Sequence, residues 1–158
     1  MRIALQPFAQ VDALNTWKSI GDMKVSDIMT ERPATVRLHS TLREILVLME
    51  QLGCRHIPVL NTENRLVGII SDRDCRLAMN SPYITRKYWR NDELLNNLTA
   101  RMIMISSPLV IAPDADAIEA AKTMLAQRIG CLPVMYEDGL VGIITRSDIL
   151  MTFVNPSD

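Results

Sequence analysis

The chain has 158 residues, of which 48% are hydrophobic, 22% charged and only 4% aromatic, and its formal net charge is −1. That length suits one compact domain or two very small ones sharing a core, and the balanced charge leaves no electrostatic footprint for nucleic acid. Apolar runs such as 45–49 and 66–70 fall far short of the roughly 20 residues that span a bilayer, and no continuous apolar signal region opens the chain. A cytoplasmic protein with no membrane partner is therefore expected.

Residues 1–24 scatter Ile3, Leu5, Phe8, Val11, Leu14, Trp17 and Ile20 among polar residues and stop at Gly21, which reads as an N-terminal arm docked on the rest. A short extended lead-in near 34–38 precedes Thr41-x-x-Glu44, the spacing at which two side chains satisfy free backbone N–H groups at a helix start. Leu42, Ile45, Leu46, Met49 and Leu52 then recur at helical spacing and define one buried face. Two runs of β-formers, 57–60 and 66–70, flank the polar turn 61–64, and Ser71 with Asp74 stands where the next helix starts.

The stretch 81–99 holds Tyr83, Tyr88 and Trp89 among Arg86, Lys87 and Arg90, and reads as a helical linker whose aromatics pack and whose charges face water. After it the pattern recurs. A lead-in near 109–112 precedes Asp116-x-x-Glu119, and Ala117, Ala120, Ala121, Met124 and Leu125 form the helical apolar face. The β-runs 132–135 and 140–144 flank Glu137-Asp138-Gly139, and Thr145 with Asp148 closes the copy.

Met29 and Met104, Pro33 and Pro108, Glu44 and Glu119, and Pro58 and Pro133 all stand 75 positions apart; after one deletion in the turn, Gly68 and Gly142, and Asp74 and Asp148, stand 74 apart. Such self-similarity marks two copies of one supersecondary unit. The reading is α/β (α+β): two β-α-β-β-α repeats at 25–80 and 100–154, an arm at 1–24, a linker at 81–99 and a tail at 155–158. A unit of this size is marginal alone, so the two copies pack together. Gly68 and Gly142 inside strands imply close approach, most simply of a packing partner.

Three cysteines, Cys54, Cys75 and Cys131, are odd in number and lack C-x-x-C spacing, which argues against a disulfide framework or a zinc knuckle. Cys54 beside His56 reads as a small buried thiol next to a polar loop residue rather than as a metal pair. No nucleophile elbow, Walker loop or paired metal-binding histidines appear, so catalysis is not expected.

The segments Arg55-His56-Ile57-Pro58-Val59 and Val67-Gly68-Ile69-Ile70-Ser71-Asp72-Arg73-Asp74, with their second copies Cys131-Leu132-Pro133-Val134 and Val141-Gly142-Ile143-Ile144-Thr145-Arg146-Ser147-Asp148, resemble the cystathionine β-synthase-type (CBS) domain. Among tandem CBS proteins the chain is most similar to stand-alone pairs of the acetoin-utilisation regulatory type. The resemblance implies two copies packed sheet to sheet, a disc-like homodimer, and two clefts that accept AMP, ADP, ATP or S-adenosylmethionine, with Mg accompanying a polyphosphate. It also implies an unidentified regulated protein, and no catalytic cofactor or metal. In such modules the cleft Asp accepts hydrogen bonds from ribose hydroxyls, while the Ser or Thr and nearby basic residues meet phosphate.

Carried over by position, cleft 1 combines Arg55, His56, Ile57, Pro58, Ser71, Arg73 and Asp74 with Ser107, Pro108, Leu109 and Val110. Cleft 2 combines Pro33, Ala34, Thr35 and Val36 with Cys131, Leu132, Pro133, Thr145, Arg146 and Asp148. Because Gly130 and Cys131 replace Arg55 and His56 there, Arg146 alone is expected to neutralise charge in cleft 2, and Asp74 is expected to matter more than Asp148. Two readings compete with this. The Ser-x-x-Asp and Thr-x-x-Asp pairs also fit simple helix capping, and a pair with empty clefts would serve as a dimerisation or protein-interaction module.

Overall fold

A computed structural model describes residues 22–79 and 92–154. The tail at 155–158, most of the arm and residues 80–91 of the linker region lie outside them. The elements in chain order are α1 (Val25–Ile28), β1 (Thr30–Glu31), β2 (Val36–Arg37), α2 (Leu42–Leu52), β3 (His56–Leu60), β4 (Leu66–Ser71) and α3 (Asp72–Met79). They continue with α4 (Asp92–Asn97), α5 (Ala100–Ile103), β5 (Ile105–Ser106), α6 (Ala117–Gln127), β6 (Cys131–Tyr136), β7 (Gly139–Thr145) and α7 (Arg146–Val154). No helix among the described residues is long and apolar enough to cross a membrane.

The expected mixed architecture is present, and the local signals explain most of it. Thr41 Oγ1 accepts from Glu44 N–H while Glu44 Oε2 accepts from Thr41 N–H at 2.7 Å, so the reciprocal cap forms at the start of α2. Gly53, at φ 61°, ends the same helix in the left-handed conformation that glycine adopts without steric cost. Leu42, Ile45 and Met49 are buried and Leu46 packs beside them, but Leu52, the last residue of the helix, is 55% exposed.

The second copy departs from the expectation at both ends of α6. Asp116 does not cap with its side chain; its Oδ1 instead accepts from Lys24 Nζ at 2.7 Å, and the first-turn N–H of Ala117 bonds to Met23 O. Leu125 is 75% exposed rather than part of the buried face, which narrows to Ala117, Ala120 and Met124. The helix closes on Arg128 at φ 55°, in the place that Gly53 fills in the first copy.

Each repeat contributes a hairpin, β3–β4 and β6–β7, with its register shift at the equivalent positions Val59/Leu60 and Val134/Met135. The two sheets are not built from one repeat each. Strand β1 pairs antiparallel with β7, through Thr30 opposite Ile143, while β5 pairs with β4, through Ile105 opposite Ile69. Each repeat's first strand is therefore an edge strand of the other repeat's sheet. The preceding short helices cross as well: Val25 belongs to the core of Leu132, Val134 and Ile144, and Ala100 to that of Ile45, Ile57 and Ile70. Matching backbone bonds tie them down, Val25 N–H to Ala115 O at 2.9 Å and Ala100 N–H to Ser40 O at 2.8 Å.

The strand glycines are explained by this crossing. A Cβ on Gly142 would come within 2.5 Å of the Met29 sulfur and 3.1 Å of Thr30 O; on Gly68 it would overlap the Met104 sulfur and approach Ile105 O at 3.1 Å. Each methionine thus fills the gap opened by a glycine in the other repeat. A third small cluster, Ile69, Cys131 and Ile143, together with the fully buried Pro58 and Pro133, forms the seam between the two sheets.

Candidate functional site

Two clefts flank that seam. Returning from the other repeat's sheet to its own, the chain turns at Arg32 (φ 46°) and, in the second copy, at Ser107 (φ 51°). Each turn is followed by a proline, and these crossing segments form one wall of each cleft. The larger cleft, about 880 Å³, lies beside Thr145 and Asp148 and is bounded by Thr30, Arg32, Pro33 and Ala34. The smaller, about 550 Å³, lies beside Ser71 and Asp74 and is bounded by Ile105, Ser107, Pro108 and Leu109.

In both clefts the carboxylate is held by the strand end. Asp74 Oδ2 accepts from Ser71 N–H at 2.8 Å and from Ser71 Oγ at 2.6 Å, and Asp74 N–H donates to Ser71 Oγ at 3.2 Å. Asp148 repeats the pattern with Thr145 at 2.6, 2.7 and 3.3 Å. Helix capping is thus fulfilled in both copies, but it occupies one carboxylate oxygen only. Neither Oδ1 has a hydrogen-bond partner among the described residues. An ionised carboxylate is acceptor-only and each oxygen offers two lone pairs, so a fixed, half-used acceptor stands in each cleft.

The structure regroups several of the residues assigned by position. His56, Ser71, Arg73, Asp74, Ser107, Pro108 and Leu109 do line cleft 1, and Pro33, Ala34, Thr145, Arg146 and Asp148 line cleft 2. Arg55, however, lines cleft 2 rather than cleft 1, whereas Cys131 and Pro133 line cleft 1 rather than cleft 2. Strand alternation accounts for four more residues. Ile57 and Leu132 point into the helix-covered cores, with Val36 beside Ile57, and Pro58 is sealed in the seam. Thr35 and Val110 line neither cleft.

The charge inventory is corrected accordingly. Cleft 2 does not depend on Arg146 alone, because Arg32 and Arg55 line it too, against Asp72 and Asp148. Cleft 1 holds Arg73, Arg128 and Arg146 against Asp72 and Asp74. Each cleft has three arginines, supplied from different walls. Two of the residues missed from sequence, Arg32 and Arg128, hold left-handed backbone that a non-glycine residue adopts at some cost. The signal available in sequence was Arg128 standing where the first copy has Gly53.

Four residues, His56, Asp72, Gly130 and Arg146, line both clefts and form the wall between them. A Cβ on Gly130 would meet His56 Nε2 at 3.0 Å, so the missing side chain is what admits the imidazole. Arg146 is oriented by its Nε–H, which donates to Ile129 O at 2.9 Å, and Asp72 Oδ2 is engaged by Arg76 at 3.0 Å.

Burial pushes the His56 imidazole below its ordinary value of 6.5, with Asp72 and Asp74 opposing and Arg146 and Arg55 assisting. The folded chain therefore binds fewer protons than the unfolded one just below that pH. Stability present above pH 6.5 is expected to be lost as pH falls through this window. Thermal melts between pH 7 and pH 5 check it: the melting temperature should drop in the parent and stay flatter in His56→Gln. An equal drop in both excludes the imidazole as its source.

Burial likewise pushes Cys75 up to about 11 and Cys131 up to about 12, and raises Cys54, so none is a ready nucleophile at neutral pH. Among the described residues no group of three or more His, Cys, Asp or Glu is placed to hold a metal ion.

Against known proteins, a family model for the CBS domain matches residues 25–81 and 100–155. A CBS domain-containing protein of Dictyostelium discoideum is 35% identical over 127 residues, 80% of this chain and 88% of that protein. The structure described as that of an acetoin utilization protein from Vibrio cholerae has 35% sequence identity and a TM-score of 0.71, covering 85% of this chain and 92% of the other. The crystal structure of CBSX2 in complex with AMP is similar at 25% identity and a TM-score of 0.68, covering 85% of this chain and 98% of the other.

Proposed function

Because the chain belongs to the CBS domain family, we propose that it is a regulatory module rather than an enzyme, taking an adenosine-containing ligand in the clefts between its repeats. AMP, ADP, ATP and S-adenosylmethionine are the ligands proposed, a triphosphate arriving with its Mg²⁺. The observation that carries this reading is the pair of half-used carboxylates: Asp74 and Asp148 each spend one oxygen on a cap and keep the other as an acceptor beside three arginines. A vicinal diol offers two O–H donors to such an oxygen, and a phosphate suits the guanidinium groups. In cleft 1 the exposed apolar side chains of Ile105 and Leu109 supply a surface for a base. The AMP carried by the CBSX2 structure supports the class of ligand.

Two pairs associate, in this reading, as a disc-like homodimer in the cytoplasm. Support comes from α3 and α7, which leave Leu77 (59%), Leu150 (63%) and Met151 (53%) exposed, an apolar surface of the kind that marks an interface. The regulated target is a separate protein.

Thermal-shift titration tests the proposal. A ligand at about 100 times its Kd adds about 2.7 kcal/mol, which raises the melting temperature of a chain this size by roughly 5–10 °C. Saturating stabilisation by one of the four ligands is expected; no shift with any of them leaves a ligand-free dimerisation module as the function.

A further inference from the structure

We infer that the two clefts are coupled through one shared cation, so that a phosphorylated ligand in either cleft weakens the binding of a second in the other. The inference deepens the ligand-binding reading and rests on it.

The wall common to both clefts is built at the starts of two helices. Asp72 is the first residue of α3 and Arg146 the first of α7, and they occupy equivalent positions of the two repeats, 74 apart. Had the copies stayed alike, the wall would carry two cations or two anions. It carries one of each instead. The Asp72 carboxylate is engaged by Arg76 and, as an anion at a helix N-terminus, repels an incoming phosphate. Arg146 is the opposite case: its guanidinium is tethered through Nε to Ile129 O, and its terminal N–H groups have no protein acceptor among the described residues. The remaining wall residues, His56 and Gly130, bring no second fixed positive charge, since burial favours the neutral imidazole.

A phosphate arriving from either side thus finds a single fixed guanidinium on the dividing wall. One bidentate Arg–phosphate pair satisfies that fork, and a second anion meets a cation already neutralised and a like charge close by. Arg73 and Arg128 on one side, and Arg32 and Arg55 on the other, are private to their clefts, so both sites bind; the shared residue sets their interdependence. The coupling must scale with ligand charge, which sets it apart from a shape change that any ligand would transmit.

Calorimetry with AMP and with uncharged adenosine tests this on the full chain and on Asp74→Asn, Asp148→Asn and Arg146→Gln. With cleft 1 silenced by Asp74→Asn, cleft 2 should bind AMP at least fivefold more tightly than the weaker site of the parent, within the usual range of about 5–150-fold for coupled sites. Asp148→Asn should do the converse if cleft 1 is the weaker. Adenosine should show no such gain, and Arg146→Gln should lower AMP affinity while closing the gap. One AMP per parent chain, with one in each silenced variant, is the limiting form of the same competition. Two independent AMP sites, a gap as large for adenosine as for AMP, a gap that survives Arg146→Gln, or one cleft that binds under no condition each overturn the coupling while leaving a binding module standing. No binding of either compound overturns both readings.

Discussion

If the two clefts bind AMP as proposed, Asp148→Asn and Asp74→Asn are each expected to weaken one of two sites per chain, with losses of similar size. On sequence alone Asp74 is the dominant residue, because position by position cleft 2 keeps only Arg146 as a cation. With Arg32 and Arg55 on its walls, cleft 2 has the same number of arginines as cleft 1 and the larger volume, about 880 against about 550 Å³. A hydrogen bond to a charged group contributes about 1.5–3 kcal/mol. Replacing the carboxylate by an amide, whose single oxygen keeps the cap and whose N–H₂ then faces the ligand as a donor in place of the free acceptor, should therefore weaken the altered site roughly 10- to 100-fold. Asparagine is chosen over alanine because removal of the cap to Ser71 or Thr145 would itself cost about 1 kcal/mol of stability and blur the result. Calorimetric stoichiometry near one in each variant agrees with this account, and two undiminished sites in either variant refute the role given to that carboxylate.

The largest effect on stability is expected from Gly68→Val. Valine is otherwise welcome in a strand, yet at this position its Cβ overlaps the Met104 sulfur and crowds Ile105 O at 3.1 Å, so β5 must lift away from β4. Overpacking of this kind costs about 1–3 kcal/mol and occasionally more, and a branched side chain against backbone belongs at the upper end. Denaturant unfolding should show a loss of about 3 kcal/mol, with Gly142→Val alike through Met29 and Thr30. Shortening the methionine relieves part of the clash. The Gly68→Ala, Met104→Ala cycle should accordingly give a coupling energy within the range of about 0.5–3 kcal/mol seen for touching residues. A Gly68→Val protein as stable as its parent would mean that the strand glycine is not there to admit the methionine.

What the sequence disclosed was local. Thr41-x-x-Glu44 capped α2 as written, the β-runs became β3, β4, β6 and β7 with their ends moved by a residue or two, and Ser71 and Thr145 began helices. Period and capping chemistry are encoded within a few residues, so they can be read without knowing the partner. Partnership is a long-range property. Nothing in Met29-Thr30-Glu31 or Met104-Ile105-Ser106 says whether the strand completes its own repeat's sheet or the other's, since both copies carry the same pattern and each alternative satisfies the same backbone groups. The assignment of Arg55 to cleft 1 failed for a related reason. A position before a strand is carried to one side of the seam or the other by the packing of two sheets, and one copy's pattern does not contain that packing. Asp116 met a different competitor: Lys24, from the far end of the chain, drew its carboxylate away from the helix start.

The exchange of first strands also sets what kind of motion can carry a signal. Two lobes joined by a plain linker can open and shut like jaws, but here each lobe grips a strand and a short helix of the other, and prying them apart would break the β1–β7 and β4–β5 ladders and pull Val25 and Ala100 from their cores. The pair is latched. Besides the latched sheets, each cleft is walled by the crossing segment after Arg32 or Ser107. A ligand shifts an equilibrium between two arrangements only by its difference in affinity for them. If the clefts bind a ligand as proposed, its readout is therefore expected at the outer surface of the latched pair, not in a hinge within it.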